Sequence, residues 1–192
     1  EIEGVGYHEE IEPYPGIKIS FHDAGHVLGS AFISVQAEGQ TIVFSGDIGN
    51  NDVPILPDTE VIPHADVVVC ESTYGHRVHE GRVERREHVK KVLEETIKNK
   101  SVLLIPSFSI ERTQELLYEI DLILRDELKT KLHIFLDSPM AIRITEVFKR
   151  HTDLFDREMM QRINQGNSPF RFDDLKMVQT TEESKAINHI KG

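Results

Sequence analysis

The sequence predicts an α/β protein in two parts: a hairpin-rich sheet, then helices alternating with short apolar strands. Three observations carry this. The first third of the chain alternates polar and apolar residues with period two, the signature of half-buried strands. From about residue 83 the apolar spacing becomes helical, and the helices are separated by short apolar runs. Ser138-Pro139 then joins a preferred N-cap residue to a proline at the first helical position, a strong start signal for another helix. Alternation of this kind favours a mainly parallel sheet flanked by helices.

The elements follow in order. IKISFHDA (17–24), AFISVQA (31–37) and TIVFSGD (41–47) read as strands, and Glu38-Gly39 supplies a tight hairpin turn between the last two. ADVVVCE (65–71) is a continuous apolar run ending in a carboxylate, which predicts a strand buried on both faces. Alternation there turns Cys70 away from Glu71, as a small buried hydrophobe. In VERREHVKKVLEETIK, Val89, Val92, Leu93, Thr96 and Ile97 share a helical face, and SVLLIP (101–106) again reads as a buried strand. ERTQELLYEIDLILRDEL (111–128) is helical through Leu116, Leu117, Ile120, Ile123 and Leu124. LHIFLDS (132–138) is a strand, PMAIRITEVFKRH a helix, DREMMQRIN (156–164) a further helix and KMVQT (176–180) a last strand. The change of texture near residue 76 divides the chain into domains 1–75 and 76–192.

Composition bounds the function. The 192 residues carry 22 Lys+Arg against 33 Asp+Glu, a formal charge of −11. That balance counts against avid non-specific nucleic-acid binding by the whole surface, but not against a small cleft in which metal ions supply positive charge. No apolar run approaches the ~20 residues that span a bilayer, so no membrane segment is expected. The single cysteine cannot form an internal disulfide and suits a cytoplasmic location. EIEGVGYHEE has neither the basic start nor the apolar stretch of a secretion signal. It also lacks an initiator methionine, so the sequence is expected to begin inside a longer gene product.

Three polar residues occupy comparable positions: His26 in a loop before a strand, Asp47 at the end of one and Glu71 at the end of another. Groups at strand ends converge on a common rim in layered α/β structures, where sites are built. An imidazole and a carboxylate are suitable zinc ligands, and a further carboxylate can orient a ligand histidine. Gly25 and Gly29 flank His26, and Gly46 and Gly49 flank Asp47, which lets the backbone come close to an ion. A lone histidine in such a loop is ordinarily a surface residue, so the spacing alone is only suggestive.

GHVLGSAF, then FSGDIGN, then ESTYG, with LLIPSFSIERTQELLYEI, LDSPMA and NSPFRFDDLKMVQTTEESKAIN downstream, resembles the β-CASP branch of the metallo-β-lactamase superfamily, in consistent order from about His22 to Asn188. The resemblance implies a partial metallo-β-lactamase αββα sandwich over 1–75, followed by most of a β-CASP cap domain over 76–192. It implies that His26 is a zinc ligand and that the Asp47 carboxylate bridges two zinc ions. It implies that Glu71 supports the metal site by orienting a ligand. The family's His-x-His-x-Asp-His motif does not occur among the ten histidines here, and neither do its two later β-CASP histidines. The chain is therefore expected to be an internal segment, inactive alone, of a protein with two zinc ions.

Ser107 and Arg112 lie between a predicted strand and the next helix, where free N–H groups favour anions, and Ser138 holds the same place one unit later. These three are candidate contacts to an RNA phosphate, with Arg112 offering a planar fork. Glu111 stands where similar proteins often have glycine, which weakens that reading locally, and ordinary helix capping competes for Ser138. His76 and His79 form an H-x-x-H pair in a charged connection and read as solvated or domain-joining residues. Arg77, Arg82, Arg85, Arg86, Lys90 and Lys91, interleaved with Glu80, Glu84 and Glu87, read as a salt-bridged helix face.

The expected function of the parent is zinc-dependent hydrolysis of single-stranded RNA in the cytoplasm, with no membrane partner and a homodimer allowed. The rivals are a non-catalytic scaffold of the same branch, a DNA-directed relative and a hydrolase of small esters.

Overall fold

The structure, a computed structural model, describes residues 3–62, 64–78, 81–172 and 174–190. It divides into two compact units, Glu1–His79 and Glu80–Gly192.

The first unit is a five-stranded sheet in sequence order: β1 (Ile11–Tyr14), β2 (Ile17–Asp23), β3 (Ala31–Ala37), β4 (Gln40–Phe44) and β5 (Val67–Val69). β1 to β4 form an antiparallel meander, and β5 joins β4 in parallel. The expected hairpin is present: Ala37 pairs with Gln40 across Glu38 and Gly39, whose φ angles of 52° and 77° suit the twist of the flanking strands. The core of this unit is Ala24, Phe32 and Val43, with Ile62 and Ala65 packed against it.

Two expectations fail here. β5 is shorter than the run 65–71, and Val67, Val68 and Val69 are exposed rather than buried on both faces. It is the edge strand of the sheet. Cys70 is exposed as well. An apolar run records a preference for burial, but the layers packed on a strand decide whether burial is met.

The second unit holds α1 (Arg82–Asn99), α2 (Arg112–Leu122), α3 (Pro139–Arg150), α4 (Arg157–Asn164) and α5 (Thr181–Ile187). It also holds the parallel pair β6 (Ile134–Leu136) and β7 (Leu175–Met177). α2 continues into a π-helical segment, Ile123–Leu128, so the predicted helix 111–128 is one run with a widened last part. Leu93, Ile120, Ile123 and Leu124 form the core between α1 and this run. Of the face predicted for α1, Leu93 and Thr96 are buried and Val92 is exposed. A second nucleus joins Phe148, Phe155 and Phe170, with ring centroids 6.0–6.4 Å apart.

α3 begins as the sequence predicts: Pro139 is its first residue, and Ser138 Oγ accepts from the Ala141 N–H at 3.2 Å. Asp156 caps α4 in the same way at 2.6 Å. α5, which periodicity did not reveal, starts with a capping box of Thr180 and Glu183. SVLLIP is a correction: residues 101–106 form no strand, and Val102, Leu104 and Ile105 are exposed. The mainly parallel sheet expected in this half is therefore, among the described residues, the two strands β6 and β7.

Three basic residues of α1, Arg82, Arg86 and Lys90, are ion-paired, but with acids from other elements rather than with the interleaved acids of their own helix. Arg82 reaches Glu119 at 3.2 Å and Glu158 at 3.1 Å, Arg86 reaches Glu127 at 3.0 Å, and Lys90 reaches Glu127 at 2.9 Å. They fasten α1 to α2, the π-helical segment and α4.

Candidate active site

In the first unit, His26, Asp47 and Glu71 lie on loops that leave β2, β4 and β5. The loop after β2 is pinned by short-range bonds. Asp23 Oδ1 accepts from the Gly25 N–H at 2.8 Å, and Ser30 Oγ accepts from the N–H groups of His26 and Val27 at 3.1 and 3.2 Å. Gly25 has φ +59°, and a Cβ there would lie 2.7 Å from the Thr59 nitrogen, so only glycine fits.

The loop after β4 is pressed against this one. The Gly49 N–H donates to the Ala24 carbonyl at 2.8 Å, and a Cβ on Gly49 would fall 1.8 Å from the Gly25 oxygen and 2.8 Å from the His26 nitrogen. The segments that carry His26 and Asp47 therefore touch through their backbones, and two glycines make the contact sterically feasible.

Glu71 completes the convergence. Its Oε1 accepts from the Ile48 N–H at 2.7 Å, next to Asp47. Its own N–H donates to the buried Ser45 Oγ at 3.0 Å, and that hydroxyl donates to the Gly46 carbonyl at 2.7 Å. The Ile48 N–H, the Thr73 side chain and backbone N–H, and the charge of His26 hold the Glu71 carboxyl below the usual carboxylate range, against a smaller effect of burial. Glu71 is thus oriented and ionised, and it feels the His26 imidazole.

His26 and Asp47 are themselves exposed. Among the described residues, the Asp47 carboxylate accepts no hydrogen bond and forms no ion pair, so the fold leaves its oxygens free. His26, Asp47 and Glu71 do not form a three-donor cluster; the described group whose donor atoms lie within 4.8 Å of one another is His8, His22 and Glu60. Sequence reasoning missed that group because its members come from three segments with no shared motif.

The candidate phosphate contacts lie in the second unit. Ser107 and Ser138 line one cleft of about 730 Å³ together with Thr113, Leu136 and Asp137. Ser138 Oγ is engaged in capping α3, and Ser107 Oγ donates weakly to the Phe108 carbonyl at 3.4 Å. Arg112 is not part of that lining. Its Nη1 pairs with Glu115 at 2.7 Å, and its side chain is 55% exposed. The serines therefore line the same cleft, whereas the guanidinium stands at the start of α2 with a local acidic partner. His76 is exposed in a turn, and His79 lies outside the described residues.

The chain is similar to known proteins over most of its length. Residues 113–192 match the Beta-Casp domain. Ribonuclease TTHA0252 of Thermus thermophilus is 40% identical over 176 residues, covering 92% of this chain and 40% of the relative. The endoribonuclease ysh1 of Schizosaccharomyces pombe is 32% identical over 184 residues, covering 95% of this chain and 24% of the relative. An RNase J-like protein of Methanocaldococcus jannaschii is 31% identical over 172 residues, covering 88% of this chain and 41% of the relative. The second unit thus carries the Beta-Casp match, and the likeness to these ribonucleases extends over 88–95% of the chain. The chain spans between a quarter and two fifths of the length of these relatives.

Proposed function

We propose that this chain forms part of a zinc-dependent ribonuclease. Its first unit contributes one side of a metallo-β-lactamase sandwich with the metal-facing loops, and its second contributes a β-CASP cap. The observation that carries this reading is the convergence of three loops. Gly49 packs on Gly25 and His26, while Glu71 holds the backbone beside Asp47.

The donor set suits zinc in kind, an imidazole and a carboxylate not consumed by the fold, but two ligands are fewer than a zinc site needs. Retention of the ion therefore requires donors beyond His26 and Asp47, and the chain by itself is inactive in this reading. Bound zinc supplies a water activated near neutral pH and positive charge for the phosphoryl oxygens. The protein's own part is positional. The exposed Asp47 carboxylate and the His26 ring nitrogen are the donors offered, and the ionised Glu71 fixes the Ile48 N–H beside Asp47. Ser107 and Ser138, which both line one cleft, serve the backbone of a single RNA strand, and Arg112 at the start of α2 offers a further positive charge. Cys70, exposed and unpaired, suits a reducing compartment such as the cytoplasm.

The test is Asp47→Ala in the intact protein, assayed on single-stranded RNA with and without zinc. Loss of zinc-dependent cleavage is expected. Undiminished cleavage by a folded variant refutes the assignment.

A further inference from the structure

His8, His22 and Glu60 place one donor atom each within 4.8 Å of the others, although they lie in three separate segments. We propose that they form a further divalent-cation site, of zinc chemistry, made of none of residues 26, 47 or 71.

Backbone bonds bring the three segments together on the last part of β2. The His8 N–H donates to the Phe21 carbonyl at 2.8 Å, and the Glu60 N–H donates to the Asp23 carbonyl at 3.0 Å. His22 stands between these two anchor points. His8 adopts φ +65°, in the left-handed region that histidine enters more readily than most residues.

The His22 ring is held on three sides. It stacks on its cross-strand partner Phe32 at 4.9 Å with planes 7° apart, and Phe32 is itself 1% exposed. It meets the His8 ring edge-on at 5.1 Å. Its Nε2 lies 3.0 Å from Ser20 Oγ. When that hydroxyl accepts a hydrogen bond from Nε2–H, the Nδ1 lone pair is left facing Glu60, as in metal sites where an outer partner fixes the ligand tautomer.

The donor distances suit the ion. Glu60 Oε1 lies 3.1 Å from His8 Nε2, and Glu60 Oε2 lies 3.5 Å from His22 Nδ1. Ligands at ~2.0–2.1 Å from a tetrahedral zinc are about 3.3–3.4 Å apart; the two approaches bracket that spacing through different Glu60 oxygens, and with one atom per residue the three donors lie within 4.8 Å of one another. Two imidazoles and one carboxylate form a donor set that favours zinc over calcium or magnesium, which take mainly oxygen. The His8 side chain is 60% exposed and those of His22 and Glu60 are 17% and 33% exposed, so a water can fill the fourth position. The ion would clip the turn before β1 and the segment around residue 60 to β2. Its role is structural.

The experiment uses the intact chain stripped of metal. Zinc binding is followed by calorimetry and by the rise of the melting temperature with zinc concentration. Cobalt absorption reports the donors, because the single cysteine is not among them and no thiolate band should appear. The expected result is a zinc equivalent retained in Asp47→Ala. In His8→Ala, His22→Phe and Glu60→Gln its affinity should fall by more than about a hundredfold, beyond the ~10–100-fold expected for Ser20→Ala, which removes only an outer partner. His8→Ala changes an exposed side chain and His22→Phe keeps the stack on Phe32, so folding is preserved in both. Equal zinc affinity in these variants, loss confined to Asp47→Ala, or no zinc binding by the folded chain each overturns the proposal.

Discussion

Gly49→Ala is the sharpest perturbation of the candidate site, because it adds one methyl group where two loops meet. The new Cβ would sit 1.8 Å from the Gly25 oxygen and 2.2 Å from its carbonyl carbon, both backbone atoms with no rotamer to change. Contact distances near 3.5 Å mean that one loop must retreat by about 1.5 Å. That displacement breaks the 2.8 Å bond from the Gly49 N–H to the Ala24 carbonyl. The carbonyl still accepts from Thr59 Oγ1 at 2.8 Å, so the cost of this break stays near the net worth of one hydrogen bond, about 1 kcal/mol. Overpacking adds about 1–3 kcal/mol. The total of about 2–4 kcal/mol should lower the melting temperature of the first unit by roughly 8–32 °C, given ~4–8 °C per kcal/mol for a unit of this size. Differential scanning calorimetry on three variants separates the causes. Gly4→Ala, with no heavy atom within 4 Å, should match the parent. Gly29→Ala, with φ +83° but open space, should show only the backbone cost of about 1–2 kcal/mol. If Gly49→Ala melts with Gly4→Ala, the loops are not pressed together and the convergence of His26 with Asp47 fails.

Ser138→Ala should destabilise α3 by about 1 kcal/mol through loss of its cap, measured by chemical denaturation. Ser138→Asp should restore that stability, and if the residue also faces an RNA phosphate, its binding of single-stranded RNA should fall while its stability does not. Tyr118 donates to Glu158, which also pairs with Arg82. Burial opposes the charge of Glu158, yet the bonds from Tyr118 and Arg82 outweigh it and hold the carboxyl below its ordinary value of 4.5. The folded state thus favours the ionised form. This contribution to stability is present above pH 4.5 and is lost as pH falls through the lower folded value. Glu158→Gln should flatten the acid limb of the second unit's stability curve, and an unchanged limb would show that the network does not hold that charge.

Local chemistry made several features legible in advance. Ser138-Pro139 specifies where α3 begins because a cap oxygen and a preset φ act within one turn, independent of anything distant. Glu38-Gly39 specifies a hairpin for the same reason. His26 and Asp47 were visible as glycine-bordered polar residues and Glu71 as the carboxylate ending an apolar run, and they lie on loops that meet. The fates of SVLLIP and ADVVVCE were not visible. Both are apolar enough for buried strands, but a strand needs a ladder partner and a covering layer, and these come from residues far away in sequence. Residues 101–106 form no strand, and β5 stands exposed at an edge.

The sequence by itself determined the turns, the caps, the α/β class and the polar residues offered at strand ends, because each follows from interactions spanning a few residues. Only the tertiary structure decided which distant groups became neighbours. It placed Glu71 under the backbone beside Asp47 and paired α1 with acids on other elements. It also brought His8 and Glu60 together beside His22. Those juxtapositions depend on strand register and backbone bonds between remote segments, for which no local pattern of residues carries a signal.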